Sequence, residues 1–497
     1  MSLFEGSEAR LPILRPISDG ARPRWLAALG YAALAAIAGL AGVLLTAVAS
    51  RADNAAPIAL LALVLGPLLI AAVVVDPRIG IVCIFLSFPA GFRGIELGVF
   101  NLQATDAAVL LVAVVVALRR IGTGSAPLSW SAPLVWAVGM IGWAIVATPS
   151  AADKTLAVKQ LGYLIDDVVL ACLVLAAFKS ARDLRVILSA LVIVSVAITI
   201  QALTSIHELT SFYSGAVVSG RAAGLFQEPN QLGDFCAMTA LLTAGMALGA
   251  KTRWGTITLV GAFGVLVTGL TLSLSRGAWI AAVPGVVLLA LLLKSARRTI
   301  AVLAIPILIM AFSVGAFAPS HPDVRVIGER FHSLTTLNQP YDDRLAIWRE
   351  AIRETRNDPW TGVGPGNFAV ASQRSTSLAF TAFAPHAHNI FLNTAAEMGL
   401  PGVAFLVALI VALAFAGRTA LKAMRKTRRS RELALTAGIC AALFATLIQG
   451  LTNTFTGNSI IDGTIWTLIG ALLVARREAR TMVEEQAAAP TEAPATA

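Results

Sequence analysis

The chain has 497 residues, of which 57% are hydrophobic and 13% charged, with a net charge of +10 and a mean hydropathy of +0.78. A soluble domain carries about 25% charged residues, so a water-soluble protein is excluded, and disordered, collagen-like and disulfide-scaffold chains with it. The surplus apolar surface must face lipid, and the run lengths select an all-α polytopic membrane protein.

Residues 1–24 form a short, partly basic tail. Apolar runs then fall near 25–48, 57–75, 79–97, 105–118, 131–148, 160–178, 184–206, 229–249, 254–274, 277–293, 298–318, 397–416, 433–451 and 460–475. A span needs about 20 residues. The runs at 105–118 and 460–475 are short, and Pro89 and Arg93 break the third, so 12–14 transmembrane helices are predicted. The first run ends in Ala-Val-Ala-Ser (47–50), which resembles a cleavage site, but its apolar stretch is too long for a signal peptide and reads as an uncleaved span.

The chain divides into a cytoplasmic tail (1–24), an N-terminal transmembrane bundle (25–206) and a transmembrane core with arginine-bearing outer loops (207–319). A long extracytoplasmic loop containing short helices (320–387), C-terminal helices (388–475) and a disordered cytoplasmic tail (476–497) follow. The positive charge is scattered, which argues against a nucleic-acid partner. Alternate connections carry Arg119 and Arg120, Lys179 and Arg182, Lys251 and Arg253, Lys294 and Arg297, then Arg418 through Arg431. This positive-inside pattern puts both termini in the cytoplasm and the long loop outside. Cys83, Cys172, Cys236 and Cys440 lie in or beside apolar runs without close spacing, as small core residues do.

Polar residues gather on the outer side. Arg221 to Asn230 precede a span, and Pro229 and Asn230 suit a helix start. Arg221 there can hold a phosphate or be a solvated loop arginine. Ser275-Arg276-Gly277 forms a tight hairpin, and Arg276 can act at the headgroup level or merely snorkel.

In the long loop, Asp342 or Asp343 can cap a helix with Leu345, Trp348 and Ile352 as one apolar stripe. Arg344, Arg349, Arg353 and Arg356 ride the same helix, which is expected to lie on the membrane or cover a cleft. Thr361 to Phe368 form a glycine-rich turn without the context or lysine of a nucleotide loop. His386, His388 and Asn389 close the loop. A histidine there suits a general base on a sugar hydroxyl, and no helical carboxylate cluster supports a metal.

These motifs resemble the bacterial O-antigen ligase and O-antigen polymerase superfamily. Its ligase branch carries a histidine followed by Asn, Ser or Gln, nine residues, Gly, two residues, then Gly, Thr or Tyr. Here His388, Asn389, Gly399 and Gly402 complete that pattern. The stretch 221–230, the Arg276 hairpin, and Asp343-Arg344 with Trp348, Gly362, Gly364, Asn367 and Phe368 resemble the other signatures, over roughly 215–475. Known ligases of the superfamily have twelve spans. The resemblance implies an undecaprenyl-diphosphate-linked glycan as donor and an acceptor hydroxyl such as a lipid A core sugar. It implies transfer in a bacterial inner membrane without metal or other cofactor. Arg221 and Arg276 would bind the donor diphosphate, and His388 would be catalytic. Arg344, Asp343 and Asn389 would bind substrate or order a lid. A repeat-unit polymerase for O-antigen, capsule or exopolysaccharide shares this donor site and remains open. A transporter is the competing class; Asp166 and Asp167 in the sixth run are its main support, either as an ion site or as an internally paired bend.

Overall fold

The computed structural model describes residues 72–73, 75–90, 95–97, 100–122, 130–204, 207–210, 217–226, 228–293, 344–373, 386–454 and 457–488. The tail 1–24, the candidate spans 25–48 and 298–318, nearly all of 57–75, and Asp342 and Asp343 lie outside them. The described chain is all-α apart from two short antiparallel hairpins. In order it contains α1 (Pro77–Ser87), β1 (Ile95–Leu97), β2 (Phe100–Leu102), α2 (Ala104–Gly122), α3 (Ala132–Ala147), α4 (Lys154–Ala177) and α5 (Ala181–Thr204). The hairpin β3 (His207–Thr210) and β4 (Val217–Arg221) leads into α6 (Pro229–Leu248), α7 (Arg253–Leu272) and α8 (Arg276–Leu293). Then come α9 (Arg344–Asn357), α10 (Phe368–Gln373), α11 (Ile390–Lys426), α12 (Ser430–Gln449) and α13 (Ser459–Ala488).

Among the described residues nine helices are long and apolar enough to cross a membrane. The chain is a multi-pass membrane protein. The expected span at 79–97 does not form. Asp76 caps α1 and Pro77 opens it, but the helix stops at Ser87 after 11 residues, about 16 Å at 1.5 Å per residue. A 3-10 turn containing Pro89 and the β1–β2 hairpin replace the rest. At the other end α13 runs to Ala488, so residues 476–488 continue the last helix instead of beginning a tail. Ala479 and Met482 are buried on it.

Helix faces sort by what they meet. On α8, Ile280, Val283, Val287 and Leu291 form an exposed apolar stripe at helical spacing, while Ala278, Ala281, Gly285 and Leu289 are buried behind it. An apolar stripe exposed over that length suits lipid contact. Helix α6 is the opposite case, with every residue from Leu232 to Leu248 buried. It packs on α7, α8 and α12. Small residues allow this: a Cβ on Gly245 would lie 2.5 Å from the Cα of Gly438 on α12.

The two ends of the bundle differ. At one end arginines hold helix C-terminal carbonyls: Arg185 bonds that of Gly249, Arg477 those of Leu175 and Phe178, and Arg425 that of Leu292, while Arg185 also bonds the Arg431 carbonyl in the first turn of α12. Cations there complement the helix dipole. The other end gathers α9, the glycine-rich turn and the starts of α6, α8 and α11 around a polar cluster.

Candidate active site

Chain geometry first brings His388 to this end. Asn389 is the N-cap of α11, and its Oδ1 accepts from the Phe391 and Leu392 amides at 2.9 and 3.1 Å. Its Nδ2 donates to the Leu451 carbonyl at 3.0 Å, and the Ile390 amide donates to the Gly450 carbonyl at 2.7 Å. The Asn389 carboxamide therefore staples the start of α11 to the α12–α13 turn. His388, just outside the cap, has φ 47° and is 4% exposed. A left-handed non-glycine residue is strained, and the surrounding bonds hold it there.

Two histidines face each other. The His386 and His388 rings lie 4.1 Å apart in an edge-on arrangement, and His386 Nδ1 accepts from the His388 amide at 3.3 Å. Burial, with help from the Arg344 guanidinium, pushes His386 down to about 4. Burial, then His386 and Arg344, hold His388 well below the usual histidine range, while Asn453 acts in the other direction. Both shifts favour the neutral imidazole.

Arg344 begins α9 and acts on both rings and on Asp234. The buried face of α9 is Ile347, Glu350 and Ala351, packed with Phe368, Ala387 and Ala396. The expected stripe of Leu345, Trp348 and Ile352 is corrected by this packing: Leu345 is 61% and Ile352 39% exposed. A small alanine and a carboxylate, Glu350, occupy the buried positions, with Glu350 paired to Arg353. Hydrophobic spacing alone could not single out that face.

The glycine-rich turn is a structural wedge. Asn367 is 1% exposed; its Oδ1 accepts from the Asp153 amide at 2.7 Å, and its Nδ2 donates to the Asp153 and Pro365 carbonyls. That ties the turn to the start of α4. On its other side Val363 donates to the Ala396 carbonyl and Leu400 to the Pro359 carbonyl, both at 2.8 Å. Gly399 breaks α11 at this contact with φ 67° and ψ −172°, and a Cβ there would strike the Trp360 carbonyl. The first glycine of the ligase-type motif is therefore a kink that accepts the turn's backbone.

Arg276 is the first residue of α8 and is half-buried. Its hairpin packs inward: a Cβ on Gly233 would lie 2.7 Å from Ser273 Oγ, and one on Gly277 would lie 2.7 Å from Thr452 Oγ1 and 2.9 Å from Gln449 Oε1. Arg221 ends β4 opposite His207, and the next amide, Ala222, donates to the Leu272 carbonyl at 3.0 Å. The backbone of Arg221 thus meets the end of α7, beside the Arg276 hairpin. Asp343 lies outside the described residues.

Sequence reasoning missed the floor of this cluster. Asp234, in the first turns of α6, is 5% exposed and accepts from Asn453 Nδ2 at 2.8 Å. Gln449 adjoins the same carboxylate. Asn458 Nδ2 donates to Gln231 Oε1 at 2.9 Å one turn earlier. The signal was the polar run Gln449 to Ser459 between two apolar helices.

Asp166 and Asp167 lie elsewhere, within a continuous α4, so the expected bend is absent. With Asp106, Asp462 and Tyr163 they line a cavity of about 10 Å³. Among the described residues no three His, Cys, Asp or Glu are grouped to hold a metal ion, and the four cysteines are free.

A comparison with curated proteins finds no match. Residues 261–407 match the family model described as O-antigen ligase. The matched stretch contains Arg276, Arg344, His388, Asn389 and Gly399, while Arg221, Asp234 and Asn453 lie outside it. Over those residues the chain is similar to that family.

Proposed function

We propose that the chain is an O-antigen ligase-like glycosyltransferase that moves a glycan from undecaprenyl diphosphate to an acceptor hydroxyl, such as one on a lipid A core sugar. The observation that carries this reading is the buried His388 on which Arg344 acts, with its neighbour Asn389 bonded to the turn against which the Arg276 hairpin packs. In the reaction the acceptor oxygen forms a bond to the anomeric carbon as the bond from that carbon to the diphosphate oxygen breaks. The diphosphate keeps the electron pair, and the hydroxyl proton passes to the His388 ring. Arg276 and Arg221 hold the diphosphate, and Arg344 helps hold phosphate or orders α9 over the site. Fixed guanidinium charges stabilise the negative charge that grows on the leaving group. Bound diphosphate also offsets the effect of Arg344 on His388, which strengthens the base once the donor is in place.

The reading places His388 on the extracytoplasmic face of an inner membrane and both termini in the cytoplasm, in keeping with the arginine-capped opposite end. A repeat-unit polymerase uses the same donor chemistry and differs only in its acceptor. In membranes supplied with the lipid-linked glycan, His388→Ala and Arg276→Ala are expected to abolish transfer and remain membrane-inserted. Normal transfer by both variants sinks the assignment. Gels of glycans from a deletion strain separate the acceptors. Polymer that accumulates on the lipid carrier while lipid A lacks long chains means a ligase; single repeats without a ladder mean a polymerase.

A further inference from the structure

We infer that Asn393 and Glu397, in the first turns of α11, are positioning residues that hold the His386–His388 segment against the glycine-rich turn. The inference rests on the transfer reading above for its purpose, but its contacts stand apart from it.

The segment that carries the two histidines folds back over the start of α11. Asn389 and Ile390 tie one side of it to the 450–451 turn. The other side is held at the residue between the rings. The Ala387 amide donates to Asn393 Oδ1 at 2.9 Å, and both residues are buried, Ala387 fully and Asn393 to 4% exposure. With Oδ1 engaged in this way, the carboxamide offers Nδ2 to the other side. Glu397 stands four residues further along the same face of α11, and it takes a side-chain hydrogen bond from Asn393. The Glu397 carboxylate also accepts from the Phe368 amide at 3.4 Å, where α10 begins, with the Gly366 amide beside it. A carboxylate suits the open first amides of a helix.

The bonds form one line, from Ala387 through Asn393 and Glu397 to the glycine-rich turn. They restrain a backbone that is strained at its centre. His388 has φ 47°, and such a residue keeps that shape only where its neighbours over-determine it. The helix itself does not select the pair. Asparagine is a weak helix former, and a buried polar side chain is unfavourable unless it is bonded. An apolar residue would serve α11 better, but it could not accept from Ala387. A general base must stand within about 3 Å of the proton it takes, and a displacement of about 1 Å can cost about 100-fold in rate. The line therefore sets where the His388 ring stands, while other residues hold the donor diphosphate. Its loss belongs in kcat and not in the donor KM.

The test uses the full chain in nanodiscs, with 15N-labelled histidine for NMR and steady-state transfer for kinetics. The reporter is the His388 amide, which donates to His386 Nδ1 at 3.3 Å. The chain has five histidines, and this signal is assigned by its loss in His388→Gln. Asn393→Ala is expected to speed exchange of that amide with solvent by about tenfold. It is expected to lower kcat by about 100-fold, with the donor KM unchanged. Asn393→Asp keeps an acceptor for Ala387 but sets two carboxylates against each other, and it is expected to lose kcat likewise. Asn393→Asp/Glu397→Gln restores the line with donor and acceptor exchanged, because the new amide donates to the new carboxylate and its oxygen still accepts from Phe368. The double variant is expected to regain at least about tenfold in kcat over Asn393→Asp and to slow the amide again. Wild-type kcat and amide exchange in Asn393→Ala overturn the inference. So does a double variant no better than Asn393→Asp, or a lower melting temperature with kcat per folded molecule unchanged. If Asn393→Asp does not insert in the membrane, Asn393→Ala decides alone. The amide measurement needs no glycan: faster exchange in Asn393→Ala with no transfer even by wild type keeps the positioning line and sinks the transfer reading.

Discussion

Gly399→Ala should open the clamp between α11 and the glycine-rich turn. At φ 67° and ψ −172° the backbone is in a region that is essentially glycine's alone, and holding alanine there costs about 1–3 kcal/mol. The new methyl also meets the carbonyl of Trp360 and the Pro359 oxygen, which are backbone atoms with no rotamer to retreat into. Relief requires the turn to move away, which breaks the Leu400-to-Pro359 and Val363-to-Ala396 bonds, each 2.8 Å. At about 1 kcal/mol for each lost bond, the total is about 3–5 kcal/mol. Thermal unfolding of the purified protein in detergent reads this as a lower apparent melting temperature. If the transfer proposal holds, glycan transfer should fall with it, because His388 stands just ahead of the first turn of α11. Gly142→Ala on α3 is the control: its added methyl meets nothing within 4 Å, and helical glycine-to-alanine is neutral or favourable by about 0.5–1 kcal/mol. A Gly399→Ala protein that melts with wild type while Gly142→Ala behaves as expected refutes the clamp.

Two further outcomes follow from the same end of the bundle. Asn367→Ala removes an acceptor from the Asp153 amide and a donor from two carbonyls at a site 1% exposed. It should lower stability by about 2–3 kcal/mol, and Asn367→Asp should not rescue it, since a carboxylate cannot donate to those carbonyls; a stable Asn367→Asp contradicts this. Acid should weaken the fold through His386. Its folded value of about 4 lies below the unfolded 6.5, so the unfolded chain gains the proton first. Stability is fully present above pH 6.5 and falls as pH drops toward 4, by about 2 kcal/mol at pH 5. His386→Gln should flatten the melting curve over that window, and an unchanged slope removes His386 as the cause.

Much of the architecture was legible in hydropathy, because lipid leaves few choices for an apolar run of 20 residues. The start of α6 was legible from Pro229 at its first position, whereas Asn389 caps α11 well ahead of the apolar run expected from residue 397. The third run failed because apolar composition does not distinguish a span from an 11-residue helix and a hairpin, although Pro89 marked the break. The buried face of α9 failed for a different reason. Ile347 and Ala351 are buried by Phe368, Ala387 and Ala396, residues that arrive from distant parts of the chain. Asp234 and Asn453 meet only because α6 and the α12–α13 turn pack together. The motif glycines were recognisable as a pattern, but the kink that Gly399 supplies needed Trp360 beside it.

The arginines at the two ends of the bundle keep different company. At the opposite end Arg185, Arg425 and Arg477 bond C-terminal carbonyls, where a helix presents negative charge. Those contacts are favourable in themselves and serve the fold. Arg276 and Arg344 instead begin α8 and α9, where the helix presents positive charge and its first amides. A guanidinium there adds like charge to like, and helix stability alone does not select it. The same overlap of a guanidinium with a helix N-terminus suits a bound diphosphate, which takes hydrogen bonds from both. The carboxylates around Asp166 and Asp167 enclose about 10 Å³, room for about one water or a small ion. Arg253 and Arg431 also stand in the first turns of α7 and α12 at the opposite end, so the company of His386 and His388, not helix position, sets the Arg344 end apart.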